Sequence, residues 1–247
     1  LWSLVRSERG YCSTIRCGKY EGCYLGKLRN KVKDADIIIV NHSLFANELQ
    51  RDNSCLPDDF MYVIDEAHHF SDDIRSQLVN EFGVHTLNDV FQYFNNDKKD
   101  WKIPILKKYP QLYTLYDQLT HDSDDINKQI KSFFDSYYTS RNTNEKKSEY
   151  YVDKHLYRNS QEEFIETSPN PWDVLVLLQS FQIIIENWSA LILEYKEHLP
   201  KSIMIEFEMV VSNLQNGMDC FQTVLDTNND TVRWSSFYHK EFRPLTI

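Results

Sequence analysis

Between residues 170 and 226 the chain carries two apolar stripes at helical spacing, separated by Pro200. In the first, Leu175, Leu178, Phe181, Ile185, Trp188, Ile192 and Tyr195 recur by threes and fours, and Val174, Leu177, Ile184 and Leu191 widen the band. A band that wide must be covered on most sides of the helix. Asn170 offers a capping side chain and Pro171 suits the first helical position, so this helix starts there and runs to Leu199. The second starts near Ser202 and carries Phe207, Val210, Leu214, Met218, Phe221 and Leu225. A connection this short makes the pair antiparallel neighbours. These side chains read as core and not as a cofactor box.

More helices precede the pair. Ser71, Asp72 and Asp73 form a capping cluster before Ile74, Leu78 and Phe82, and Thr86 can cap a helix carrying Val90, Phe91 and Phe94. Helical stretches are predicted over residues 103–119 and 124–138, and a short one over 24–33. Residues 139–171 are polar and read as an exposed loop, least structured at 142–147. Strand signals are confined to the flanks. The runs Asp36-Ile37-Ile38-Ile39-Val40 and Phe60-Met61-Tyr62-Val63-Ile64 are apolar on both faces, as buried parallel strands are. About twenty residues lie between them, room for the crossover that parallel pairing needs. Residues 231–234 and 237–247 look extended again and return to that sheet. The expected fold class is mainly α with a partial α/β region.

The longest unbroken apolar run considered, Val174 to Leu178, has five residues against the roughly 20 of a bilayer span, so no transmembrane helix is expected. The start, Leu1-Trp2-Ser3-Leu4-Val5-Arg6, lacks the order of a secretory signal and does not begin with Met, as expected of a piece cut from a longer protein. Net charge is −10, but residues 1–33 hold eight Lys or Arg against two Glu, leaving 19 basic against 35 acidic residues elsewhere. Only the basic start suits nucleic-acid phosphates; the acidic helical remainder suits a protein partner or a surface that repels DNA.

The sharpest chemical signal is Asp65-Glu66-Ala67-His68 at the end of the second apolar run. Open α/β sheets bind ligands at the carboxyl ends of their strands. There Asp65 can hold Mg²⁺ through water, Glu66 can take the proton from a water attacking a γ-phosphate, and His68 can relay the nucleotide state towards nucleic acid. The bland alternative is a solvated acidic turn before a helix. Of five cysteines, Cys12, Cys17 and Cys23 are separated by four and five residues, while Cys55 and Cys220 stand alone. An odd, crowded set is a poor disulfide framework and a better metal cluster. Spacing alone leaves open an iron-sulfur cluster, zinc or free thiols, with Cys55 or a cysteine outside the chain as fourth ligand. Cys220 lies on an apolar stripe and reads as an inert thiol.

Three cysteines at these gaps, then Ala35-Asp36-Ile37-Ile38-Ile39-Val40-Asn41-His42-Ser43-Leu44, Leu56-Pro57 and Tyr62-Val63-Ile64-Asp65-Glu66-Ala67-His68-His69, resemble the XPD/DinG iron-sulfur DEAH helicases of superfamily 2, more closely their bacterial DinG branch. The likeness is dense over residues 12–70 and returns weakly at Val232-Arg233-Trp234 and Pro244-Leu245. It implies four regions: residues 1–34 as the end of an iron-sulfur domain, 35–70 as part of a first RecA-like motor lobe, 71–229 as a helical Arch-like domain, and 230–247 as a return to the lobe. The implied activity is ATP-dependent DNA unwinding, 5′ to 3′, with single-stranded or forked DNA, ATP and Mg²⁺ as partners, a DNA repair setting and a place at the nucleoid of a bacterial cytoplasm.

In that reading Cys12, Cys17 and Cys23 ligate a [4Fe-4S] cluster that is labile or missing in this chain alone. Arg6, Arg9, Arg16 and Lys19 track phosphates, and Tyr11, Tyr20 or Tyr24 stacks on a base or simply packs. Asn41 and His42 face DNA or the nucleotide cleft, or serve as an ordinary cap. The chain departs from the family in having no Gly-x-x-x-x-Gly-Lys loop, no Ser-Ala-Thr motif and no second motor lobe. It is therefore expected to be inactive alone. The alternative is a metal-containing nucleic-acid-binding or protein-docking module without a motor.

Overall fold

The computed structural model describes residues 24–49, 56, 61–95, 101–141, 152–226, 232–238 and 245–246. It divides into two compact units, 1–79 and 80–247. The cysteines at 12, 17, 23 and 55, the basic residues Arg6, Arg9, Arg16 and Lys19, Tyr11 and Tyr20, and the 142–147 segment lie outside the described residues.

In the first unit, α1 (Tyr24–Val32) leads into the extended residues 36–40, followed by α2 (His42–Leu49), the extended residues 61–64 and α3 (Ala67–Leu78). Tyr24 is exposed. Both apolar runs are extended, but neither is laddered into a sheet among the described residues, and Ile39 and Val63 are 92% and 90% exposed. This corrects the expectation of buried strands. A strand apolar on both faces is buried only when a layer covers each face; here Ile38 and Val40 are half-buried, while the described residues of this unit leave Ile37 and Ile39 on the other face exposed. The runs instead line one cavity of about 480 Å³ with Phe45 and Phe70.

Helix α3 also begins earlier than the Ser71 cluster indicates. The chain turns sharply at Glu66 and is helical from Ala67, so Asp72 and Asp73 fall inside the helix.

The second unit runs through β1 (Glu81–Phe82), α4 (Asn88–Asn95), α5 (Ile103–Leu106), α6 (Pro110–Arg141), β2 (Val152–Tyr157), α7 (Ser160–Glu163), α8 (Pro171–Glu194), α9 (Lys201–Leu225), β3 (Arg233–Tyr238) and β4 (Leu245–Thr246). Thr86 precedes α4 and its hydroxyl accepts the Gly83 N–H at 2.8 Å. Two predicted helices, 103–119 and 124–138, are mostly one: α6 runs unbroken for 32 residues. The polar stretch around Ser123 does not interrupt it, because the Ser123 hydroxyl donates back to Thr120 O at 2.8 Å and remains within the helix.

Asn170 caps α8 as its sequence indicates, accepting the Trp172 N–H at 2.9 Å. The α8 stripe Val174, Leu178, Phe181, Ile185, Trp188 and Ile192 is buried between α6 and α9. By length and composition α8 is apolar enough to cross a membrane, which a count of unbroken apolar runs fails to register; in this fold its stripe forms the core. Trp188 is fully buried, donates its indole N–H to Leu112 O at 2.9 Å, and meets Phe207 edge-on with ring centres 4.5 Å apart. Cys220 is half-buried, and burial raises its thiol to about 11, which keeps it protonated and unreactive near neutrality.

The four strands form one antiparallel sheet in the order β1-β4-β3-β2. One expectation changes here. The 139–171 segment contains β2, paired along its length with β3, so that Leu156 lies opposite Trp234 and His155 opposite Ser235. The C-terminal strands β3 and β4 pair with β2 and β1 in this sheet. A partly buried polar knot braces this end: buried Tyr137 donates to buried Glu163, whose carboxylate lies 2.7 Å from Arg141 and 3.2 Å from His155 nearer the surface.

Candidate functional site

Asp65 and Glu66 form the turn between the extended residues 61–64 and α3, Ala67 and His68 begin α3, and all four residues are exposed. Glu66 has φ 48° and ψ 42°, in the left-handed region. That conformation costs a residue with a Cβ roughly 1–2 kcal/mol, so contacts around the turn must hold it. Asp65 Oδ1 accepts the Glu66 N–H at 3.0 Å, and Glu66 O accepts the His69 N–H at 2.9 Å. The turn thereby presents both carboxylates outward from the helix start, where the dipole favours negative charge.

Donor chemistry distinguishes two metal possibilities. Mg²⁺ prefers oxygen ligands and retains several waters, which fits the exposed, oriented carboxylate of Asp65. Glu66, His68 and His69 also bring one donor atom each within 4.8 Å of one another, and Glu66 Oε2 lies 3.3 Å from His68 Nδ1. A carboxylate with two imidazoles suits borderline cations and not Mg²⁺.

Asn41 and His42 sit where the first apolar run meets α2. Asn41 Oδ1 accepts the Leu44 N–H at 2.8 Å, the capping contact that the sequence left as an alternative. His42 directs both ring nitrogens into the unit: Nδ1 lies 2.7 Å from Asp73 Oδ2 and Nε2 lies 3.0 Å from the carbonyl oxygen of Asp65. Phe70 meets the His42 ring edge-on at 5.1 Å and stacks on Phe45 at 5.8 Å. Sequence alone gives Phe70 no role and Asp73 only that of a helix cap. The available signal was their spacing, since Phe70, Asp73 and Ile74 share one helix face and are the half-buried residues of an otherwise exposed stretch.

No family model matches the chain. It is similar to ATP-dependent DNA helicase YoaA of Escherichia coli (strain K12), 29% identical over 136 residues, which are 52% of this chain and 20% of that protein. It is also similar to ATP-dependent helicase DinG of Mycobacterium tuberculosis (strain ATCC 25618 / H37Rv), 31% identical over 87 residues, 35% of this chain and 13% of that one. For ATP-dependent DNA helicase YoaA of Haemophilus influenzae the values are 32% over 74 residues, 28% and 11%. The aligned part spans a fifth or less of these relatives. Their names agree with the DinG-type resemblance carried by the cysteine spacing and the Asp-Glu-Ala-His turn.

Proposed function

We propose that this chain is part of an ATP-dependent DNA helicase of the DinG type, contributing the magnesium and water side of its nucleotide site. The observation that carries the reading is the exposed Asp65–Glu66 turn, held in a left-handed conformation at the end of an apolar extended run. Asp65 holds Mg²⁺ through water, the ion supplying charge neutralisation for the phosphates. Glu66 accepts the proton of the attacking water, and His68, paired with Glu66, relays the state of the site towards DNA. Arg6, Arg9, Arg16 and Lys19 contact the phosphates of single-stranded or forked DNA, with Asn41 beside the cleft, and translocation runs 5′ to 3′. The acidic helical unit, Arch-like in this reading, offers a surface for a protein partner.

The test is unwinding by the full-length protein that carries these residues. A duplex with a 5′ single-stranded tail should be opened with Mg²⁺ and ATP, and one with only a 3′ tail should not. A protein that binds both DNAs without hydrolysing ATP would instead be a docking or binding module. The 247-residue chain alone encodes no Gly-x-x-x-x-Gly-Lys loop to cradle the phosphates. Purified by itself, it is expected to show no Mg²⁺-dependent ATP hydrolysis, and turnover abolished by Glu66→Gln would contradict this.

The same reading assigns Cys12, Cys17 and Cys23 to a [4Fe-4S] cluster. Full-length protein purified without oxygen should contain about four irons and as many acid-labile sulfides per chain, and Cys17→Ser should lose them. Stoichiometric zinc would overturn the assignment.

A further inference from the structure

We propose that His42 is a positioning residue for the Asp65–Glu66 turn, acting through the Asp65 carbonyl and itself oriented by Asp73; the proposal rests on the nucleotide-site reading above. Three observations converge on it. Nδ1 of His42 lies 2.7 Å from the Asp73 carboxylate, and Nε2 lies 3.0 Å from the Asp65 carbonyl oxygen, so the imidazole bridges α3 and the turn. The ring is half-buried and packed edge-on against Phe70, which itself stacks on Phe45 of α2, so few rotamers are open to it.

The bonded carbonyl belongs to the peptide joining Asp65 to Glu66, the residue in the left-handed region. Holding that oxygen fixes the peptide plane, and with it the directions in which the Asp65 and Glu66 carboxylates leave the backbone. Aiming a base at water is sensitive to displacements of about 1 Å. His42 therefore governs how well Glu66 is placed and touches no substrate itself. Asp73 has the part that a carboxylate plays behind a ligating histidine, fixing the ring's orientation.

The experiment compares His42→Ala, His42→Gln, His42→Asn and Asp73→Ala in the full-length protein. DNA-stimulated ATP hydrolysis, DNA affinity and amide hydrogen exchange of residues 65–69 are measured for each. His42→Ala should lower kcat by about 10- to 100-fold with KM for ATP and DNA affinity little changed. It should also speed exchange at the Glu66 and His69 amides, whose hydrogen bonds close the turn. His42→Gln places an amide donor near the Nε2 position and should recover most of kcat; His42→Asn reaches only as far as Nδ1 and should not. Combining Asp73→Ala with His42→Ala should add no further loss, because the two act as a unit.

Equal kcat in His42→Ala and the parent would overturn the proposal. So would a loss confined to KM or DNA affinity, which would make His42 a ligand contact, or equal behaviour of the Gln and Asn variants. An unmodified protein without ATPase activity refutes the nucleotide-site reading separately. The exchange of residues 65–69 then still decides whether His42 holds the turn.

Discussion

Glu66→Gln is expected to lower ATP turnover by roughly 100- to 10,000-fold in the full-length protein, the range over which general bases contribute, while nucleotide affinity stays nearly unchanged. Glutamine matches glutamate in length and shape, so the turn can retain its left-handed backbone and the contacts that close it. What is lost is the proton acceptor. In the proposed site the phosphates are gripped by other residues and Asp65 holds Mg²⁺, so a defect in Glu66 should appear in kcat and not in binding. Single-turnover hydrolysis beside equilibrium binding of a fluorescent nucleotide separates the two. A comparable fall in affinity would place Glu66 among the magnesium or phosphate ligands.

Trp188→Ala is expected to destabilise the helical unit by about 3–5 kcal/mol, the cost of emptying a large aromatic site in a core. Trp188 is fully buried among Phe94, Tyr116 and Phe207, which belong to three different helices, so no single element can move in to refill the space. Its indole N–H also bonds Leu112 O, tying α8 to the start of α6. Trp101, 46% exposed, provides the comparison. Its replacement by Ala should change stability by no more than about 0.5 kcal/mol, as for most surface positions. Denaturant unfolding monitored by circular dichroism measures both, and a loss below about 1 kcal/mol at Trp188 would mean that α8 packs through another face.

The features read correctly from residue order are those encoded within a few positions of one another. The central stripes of α8 and α9, the Asn170 cap and Pro171 are each local and appear as expected, whereas α8 ends at Glu194 and not at Leu199 and leaves Leu177 of its wider band exposed. The Asp65-Glu66 turn is likewise legible because an apolar run ending in two acids is a contiguous pattern. Its proposed chemistry draws on residue types that the sequence displays directly.

Other features depended on partners distant in the chain. Residues 152–157 look like loop because their strand exists only through β3, about eighty positions later, as in the pairing of His155 with Ser235. The same pairing takes the C-terminal residues into the second unit's sheet. The runs at 36–40 and 61–64 are extended, as β-branched residues favour, but whether they are buried depends on layers that their own sequence does not specify. Residue order likewise places His42 only at a helix start. It was the fold that brought its ring to Asp73, 31 positions away, and to the Asp65 carbonyl, 23 away. Periodicity and capping act over one or two turns of chain, so sequence determined the helices and the acidic turn. Strand pairing, burial and the orientation of the turn are set by groups far apart in the chain, and only the tertiary structure decided them.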